Sequence, residues 1–326
     1  MPDNNQKGLK PAWRKFGTWF AGLLLLSGLI VVVSRFSELR HFVQLVRQAE
    51  PAWLFLVVLL QAATYTSVAT VWSLALRKVG LRHSVISLIP VGVAKLFSDQ
   101  AMPSGGMSGT AFFITALNRR GVPPHLCMAI MLLSLVAFYG AYLLAAVLTV
   151  LLLWFYHAIN TWIISVVVAF CLVAVGIPVG ALWLRRLGRK PLPPVLLQFS
   201  GLSHLKDTIA NAPDELLRSP ALVMLSMLLH GAVFVLDAAS LWVMLQMVGV
   251  QLSFWVVFPS FIMASMVATV SPIPLGLGTF EVTCVTMLGM LGVPIEAALT
   301  ATILLRGFTL WLPMLPGMWL ARRALR

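Results

Sequence analysis

The sequence predicts an all-α polytopic membrane protein, and its composition, hydropathy and charge placement all support this class. Of its 326 residues, 60% are hydrophobic and 10% are charged, and the mean hydropathy is +0.95. Soluble proteins carry about 45–50% apolar and about 25% charged residues. One soluble core cannot bury this much apolar surface, so we expect the excess to face lipid. Ordinary cytosolic enzymes, secreted mini-proteins and nucleic-acid-binding modules are therefore excluded.

About six segments are long enough to cross the membrane completely, since a spanning helix needs about 20 mostly apolar residues. They are residues 16–33, 51–76, 125–155, 161–184, 220–248 and 295–320. The first is expected to be a retained anchor and not a cleaved signal peptide. Two more apolar stretches, 84–118 and 254–291, are interrupted by Gly and Pro. Each is predicted to form two short helices that either cross twice or re-enter as a hairpin.

The positions of Lys and Arg predict that both termini lie in the cytoplasm, because cytoplasmic loops are enriched in these residues. The net charge is +13, and 18 of the 23 basic residues fall on one side of the proposed spans. We interpret them as topology determinants and expect no nucleic-acid partner. Residues 1–326 are predicted to form a single integral membrane domain. It contains half-repeats at about 51–184 and 220–324, joined by a cytoplasmic linker with an interfacial helix at 185–219.

An internal repeat appears when the sequence is compared with itself at an offset of 171 residues. Gly-Val-Pro recurs at 121–123 and 292–294, on opposite sides of the membrane in the predicted orientation. The halves would then be inverted, although a few identities could also arise by chance in a Gly-rich chain. Transporters place broken helices at matching positions of such repeats, near the midplane. The candidate site therefore includes the two breaks, whose tips could meet: Pro103, Gly105 and Gly106 in the first, Pro274, Gly276 and Gly278 in the second.

Five ionisable residues lie inside apolar segments, where a charge costs upward of about 2.5 kcal/mol, so each must pair or face water. They are Lys95, Asp99, Asp237, Glu281 and Arg306. Lys95 and Asp99 are spaced i,i+4 and can pair on one helix face, for structure or for function. Arg306 is the natural partner of Glu281 or of a substrate phosphate. Glu281 alternatively stabilises a helix N-terminus, where a carboxylate is favoured.

Asp237 follows His230 by seven residues and shares its helix face. The two could form a proton-linked site, and an interhelical hydrogen bond of Asp237 is the alternative. The sequence has no GxxxxGK[ST], HExxH or GxSxG motif. We therefore expect no enzyme activity, catalytic residue, cofactor or metal site.

Three stretches resemble the flippase-like membrane family, also called the lysylphosphatidylglycerol synthase transmembrane region. The run SPIPLGLGTFE at 271–281 is similar to the family's glutamate-ending signature. MPSGGMSGTAFFITALNRRG at 102–121 is similar to an earlier Pro-Gly segment. Arg306 followed by Trp311, Pro313 and Gly317 is similar to the closing pattern. The resemblance covers about residues 15–324.

The resemblance implies a bacterial inner-membrane protein that moves a lipid or lipid-linked headgroup between leaflets. The aminoacyl-transferase domain of the best-known members has no counterpart here, so we expect no synthase activity. In this interpretation Lys95 and Arg306 hold an anionic headgroup, while Asp99, Asp237 and Glu281 balance charge or carry protons. The alternative is a membrane-embedded accessory factor or enzyme of lipid or hopanoid biosynthesis. Lipid-biosynthesis enzymes are candidate partners, and the lipid, the energy source and the oligomeric state stay open.

Overall fold

A computed structural model of the protein describes residues 51–101, 106–188 and 215–324, all of which belong to one compact unit. Within these ranges the chain is helical and contains no strand. The helices are α1 (Pro51–Lys78), α2 (Val85–Ala101), α3 (Met107–Asn118), α4 (Pro124–Phe155), α5 (Thr161–Gly188), α6 (Glu215–Arg218), α7 (Pro220–Met247), α8 (Phe254–Val270), α9 (Thr279–Met290), α10 (Ile295–Arg306) and α11 (Leu312–Ala324). A 3₁₀ turn at Pro274–Gly276 precedes α9, and a π turn at Gly307–Trp311 joins α10 to α11.

The predicted all-α polytopic class is confirmed. Five of the described helices are long and apolar enough to cross a membrane: α1, α4, α5, α7 and the continuous run from Ile295 to Ala324. Both interrupted stretches form two short helices, as expected. The predicted span 16–33 and most of the linker 185–219, including residues 195–214 of its interfacial helix, lie outside the described residues.

The order and lengths of the helices recur in the two halves of the chain. α1 and α7 each contain 28 residues, α2 and α8 each contain 17, and α3 and α9 each contain 12. Pro90 and Pro259 occupy the same position within α2 and α8. Gly121 and Gly292 both adopt positive φ, of 82° and 93°, immediately before the next long helix. This backbone conformation favours glycine, which explains why the Gly-Val-Pro turn occurs twice.

The two short-helix pairs lie beside different ends of the α10–α11 run. Arg120 Nη1 donates to the carbonyl of Ser87 over 2.8 Å, so the end of α3 lies beside the start of α2. Arg120 also lines one surface groove with Arg323, at the end of α11. Gly292 instead lies just before Ile295, where the α10–α11 run begins, at the other end of that run from Arg323. An inverted repeat requires this arrangement, and both the inverted repeat and its orientation in the membrane stay predictions.

The lengths of α3 and α9 favour re-entrant hairpins over double crossings. A helix of 12 residues is about 18 Å long, whereas the hydrocarbon core is about 30 Å thick. α2 packs closely on α11, where a Cβ at Gly317 would lie 2.7 Å from Cβ of Phe97. The hairpin helix α2 is thus packed against α11 within the bundle.

Candidate functional site

A cavity of about 570 Å³ lies between α1, α2, α4 and α7. Its volume is in the range of small-molecule sites, which bury a few polar groups among apolar and aromatic side chains. The ionisable side chains that line it, apart from Tyr65, are Lys95, Asp99, His230 and Asp237. Aromatic and Met side chains supply most of the remaining wall, among them Tyr65, Trp72, Met128, Met131 and Phe138. Four residues predicted from the sequence meet here: Lys95, Asp99, Gly106 and Asp237.

Lys95 and Asp99 form an ion pair on the cavity wall, with Lys95 Nζ 2.8 Å from Asp99 Oδ2. The other carboxylate oxygen, Oδ1, accepts the backbone N–H of Gly109 over 2.8 Å. Gly109 is the third residue of α3, so Asp99 joins the end of α2 to the N-terminus of α3 across the break. The contact is so close that a Cβ at Gly109 would overlap the carboxylate.

Glu281 and Arg306 form the second ion pair, which confirms that they are partners. Arg306 Nε donates to Glu281 Oε1 over 2.6 Å, and the two side chains are only 11% and 13% exposed. Glu281 Oε2 also accepts the N–H of Gly278 over 2.6 Å, at the start of α9. Arg306 Nη2 donates to the carbonyl of Leu275 over 3.0 Å, and its guanidinium lies 5.0 Å from the ring centre of Phe280.

The two ion pairs perform the same task in the two halves. Each places a carboxylate at the N-terminus of a short helix, where the exposed N–H groups favour negative charge. Gly106 and Gly278 precede these helices with φ of 87° and 80°. Glu281 is therefore both a helix cap and an ion-pair partner, so two of the sequence interpretations hold together. Lys95 and Arg306 are each paired with a carboxylate, and an anionic ligand would have to compete with it.

Asp237 makes the interhelical hydrogen bond that was one of its two interpretations. Gln61 Nε2 donates to Asp237 Oδ1 over 3.1 Å and to Ser240 Oγ over 3.2 Å, which links α1 to α7. Thr64 Oγ1 lies 3.5 Å from the same carboxylate oxygen. Within the described ranges no Lys or Arg pairs with Asp237. Its carboxylate therefore lines the cavity, and its donors among the described residues are neutral.

His230 lines the same cavity as Asp237, so one face of α7 carries both of these titratable side chains. The side chain is 5% exposed, and Nε2 has no hydrogen-bond partner in the part of the chain that the structure describes. Its ring contacts the ring of Phe138 edge-on, with centroids 5.8 Å apart. The seven-residue spacing to Asp237 was the sequence signal for this residue.

The broken tips are only partly described. Pro103 and Gly105 lie outside the described residues, so the meeting of the two tips stays a prediction. Pro274 begins the 3₁₀ turn, and Gly276 is buried with φ of 61°. A Cβ at Gly276 would overlap the side chain of Ala268 in α8. This glycine is thus required by close packing of the turn against α8.

Several cavity residues were not predicted from the sequence, notably Gln61, Tyr65 and Thr309. Gln61 had a usable signal, because a primary amide inside an apolar span must find a partner. Thr309 had none, since its position depends on the π turn. No group of three or more His, Cys, Asp or Glu side chains in the described ranges is arranged to hold a metal ion.

Comparison with known families gives one match that spans most of the chain. Residues 19–317 match the family described as the lysylphosphatidylglycerol synthase TM region. The matched range includes both hairpins, both ion pairs and every residue that lines the cavity. A search of curated proteins finds no match.

Proposed function

Because the chain belongs to the family of lysylphosphatidylglycerol synthase transmembrane regions, we propose that it is a lipid translocase of the bacterial inner membrane. It moves a polar or anionic headgroup between the two leaflets, and it does so without changing the lipid chemically. The observation that carries the proposal is the cavity of about 570 Å³, with its charged and polar lining, inside a bundle of apolar helices.

A lipid headgroup crosses hydrocarbon at high cost, because its polar groups lose their hydration. The cavity offers replacement partners at membrane depth. Lys95 supplies a cation, and the first turn of α3 supplies the positive end of a helix dipole. In the described state the Asp99 carboxylate binds both of them, Lys95 through Oδ2 and the N–H of Gly109 in α3 through Oδ1. An entering anionic headgroup competes with this carboxylate, so binding and the rearrangement of the first hairpin are linked.

The acyl chains need no polar path. The outer faces of the bundle carry large exposed apolar side chains, such as Leu172 and Trp183 on α5. In a membrane these faces contact lipid. The headgroup therefore uses the cavity while its chains stay in the hydrocarbon outside the bundle.

The direct test is transfer by the purified full chain in vesicles that contain a headgroup-labelled fluorescent phospholipid. Dithionite destroys the label in the outer leaflet only, so transfer is measured as loss of the protected inner fraction. We expect near-complete loss with protein and about half without it. Mass spectrometry of the lipids distinguishes the alternative, since an enzyme of lipid biosynthesis would produce a new species.

Matched variants test whether the cavity is the route. Lys95→Gln with Asp99→Asn removes both charges of the pair without leaving one of them alone, and it should slow transfer at least tenfold. Lys78→Gln is the control, because Lys78 is exposed at the end of α1 and does not line the cavity. Wild-type transfer by the double variant would exclude this pair from the route.

A further inference from the structure

Among the described residues, Asp237 and His230 differ from Lys95 and Asp99 because neither of them belongs to an ion pair. They are seven residues apart on α7, about 10 Å along the helix. In the part of the chain that the structure describes, the carboxylate of Asp237 accepts hydrogen bonds from Gln61 and Thr64, and both donors are neutral. Nε2 of His230 is buried and has no hydrogen-bond partner among the described residues. Both groups can therefore gain or lose a proton without breaking an ion pair.

Among the described residues, the surroundings of α7 contain no other charge that compensates Asp237. Lys95 and Asp99 are bound to each other on α2, and α8 has no ionisable residue. Arg306 of α10 is bound to Glu281. The other ionisable side chains on the helices packed against α7 are Tyr65, Arg77 and Lys78 of α1, His125, Cys127, Tyr139 and Tyr142 of α4, Glu296 of α10, and Glu215 and Arg218 of α6. Of these, Tyr65 alone lines the cavity.

The charge of the cavity follows from these contacts. Among the described residues that line the cavity, the charges of Lys95 and Asp99 cancel, so an ionised Asp237 beside a neutral His230 leaves one negative charge. An isolated carboxylate is costly at membrane depth, and it repels an anionic headgroup. A proton on Asp237 removes this charge, and a proton on His230 adds a positive one.

We propose that the cavity takes up a proton together with an anionic headgroup, with Asp237 as the proton acceptor and His230 as a second protonation site. The lipid part of this proposal rests on the proposed function. In the proton step, an O–H bond forms between Asp237 Oδ2 and a proton supplied by water at one membrane face. The same bond breaks when the proton leaves to water at the other face, and no oxidant or reductant takes part. Because linkage is reciprocal, acid favours headgroup binding and the headgroup favours proton binding.

The first experiment detects the proton without transport. Infrared difference spectra of the purified full chain in detergent, recorded between alkaline and acid pH, should contain a C=O band from a protonated carboxylic acid. One component of this band should be missing from Asp237→Asn and present in Glu296→Gln, which alters an exposed acid at the start of α10. Identical spectra for wild type and Asp237→Asn would overturn the assignment.

The second experiment measures coupling in vesicles with acyl-labelled phosphatidylglycerol as an anionic probe and acyl-labelled phosphatidylcholine as a zwitterionic one. For one proton per headgroup, transfer of the anionic probe should rise by up to about tenfold per pH unit as the medium is acidified. Asp237→Asn should transfer it with a much weaker pH dependence, because the amide mimics the protonated acid and His230 is then the remaining proton site of the proposal. His230→Gln should make the dependence less steep.

The outcomes separate this proposal from the proposed function. Transfer of the anionic probe with no pH dependence in wild type overturns proton coupling and leaves translocation in place. The carboxylic-acid band without any transfer supports the proton site and counts against translocation. If Asp237→Asn abolishes transfer at every pH, and the wild type prefers the zwitterionic probe, the carboxylate binds a headgroup ammonium and the proposal is wrong.

Discussion

Neutralising one member of the Glu281–Arg306 pair is expected to destabilise the protein by about 3 kcal/mol. Breaking a buried ion pair costs about 3–5 kcal/mol, because the remaining charge is left without compensation. Both side chains keep a little exposure, 13% and 11%, so we take the lower end of this range. Arg306→Gln also removes the bond to the carbonyl of Leu275. Glu281→Gln keeps an acceptor for the N–H of Gly278, so its cost comes mainly from the stranded guanidinium.

The double variant leaves no charge behind and should be no less stable than the worse single variant. If each single change costs about 3 kcal/mol and the double change costs about the same, the coupling energy is also about 3 kcal/mol. Equilibrium unfolding by dodecyl sulfate in mixed micelles, followed by tryptophan fluorescence, measures all four proteins. Glu296→Gln is the control and should change stability by less than about 0.5 kcal/mol, as an exposed substitution. Losses that simply add in the double variant would refute the argument.

Two further predictions concern the hairpins. A cysteine at Arg119 should react with an impermeant reagent from the cytoplasmic side only, and a cysteine at Ile295 should react from the outside only. Labelling of both cysteines from the same side would contradict the inverted arrangement. Gly109→Ala should destabilise the protein by about 1–3 kcal/mol in the same unfolding assay, because its Cβ overlaps the Asp99 carboxylate. Gly180→Ala is the matched control with open space around it, and an equal loss in both variants would show that the Asp99 contact is not the cause.

The helices themselves were predictable because hydropathy and breakers act locally. The span expected at 51–76 is observed as Pro51–Lys78, and the stretch 254–291 divides into two helices at its Pro-Gly run. The Glu281–Arg306 pair was also predictable. Few charges lie at membrane depth, and each must find a partner there, so the choice of partners is small.

The cavity was not predictable, because it depends on which faces of the helices meet. α7 carries a few polar side chains among many apolar ones, so its hydropathy marks the face that packs on α1 only weakly. Gln61 therefore could not be matched to Asp237 from spacing alone. Likewise the π turn after Arg306, which places Thr309 in the cavity wall, has no distinctive sequence pattern.

The two carboxylates at the helix N-termini, Asp99 for α3 and Glu281 for α9, come from different positions in the two halves, so the residues at these positions cannot be exchanged between the halves. Glu281 is the third residue of α9, and Gly109 is the third residue of α3; Asp99 and Ala268 are both third from the end of the preceding helix. A side chain at Gly109 would overlap Asp99, and Ala268 already lies against Gly276. A glutamate in place of Gly109 would thus enter occupied space, and an aspartate in place of Ala268 would extend from a Cβ that already faces Gly276. If the halves arose by duplication, a single substitution would not convert the capping arrangement of one half into that of the other. Steric overlap at these helix ends therefore keeps the two sequences different.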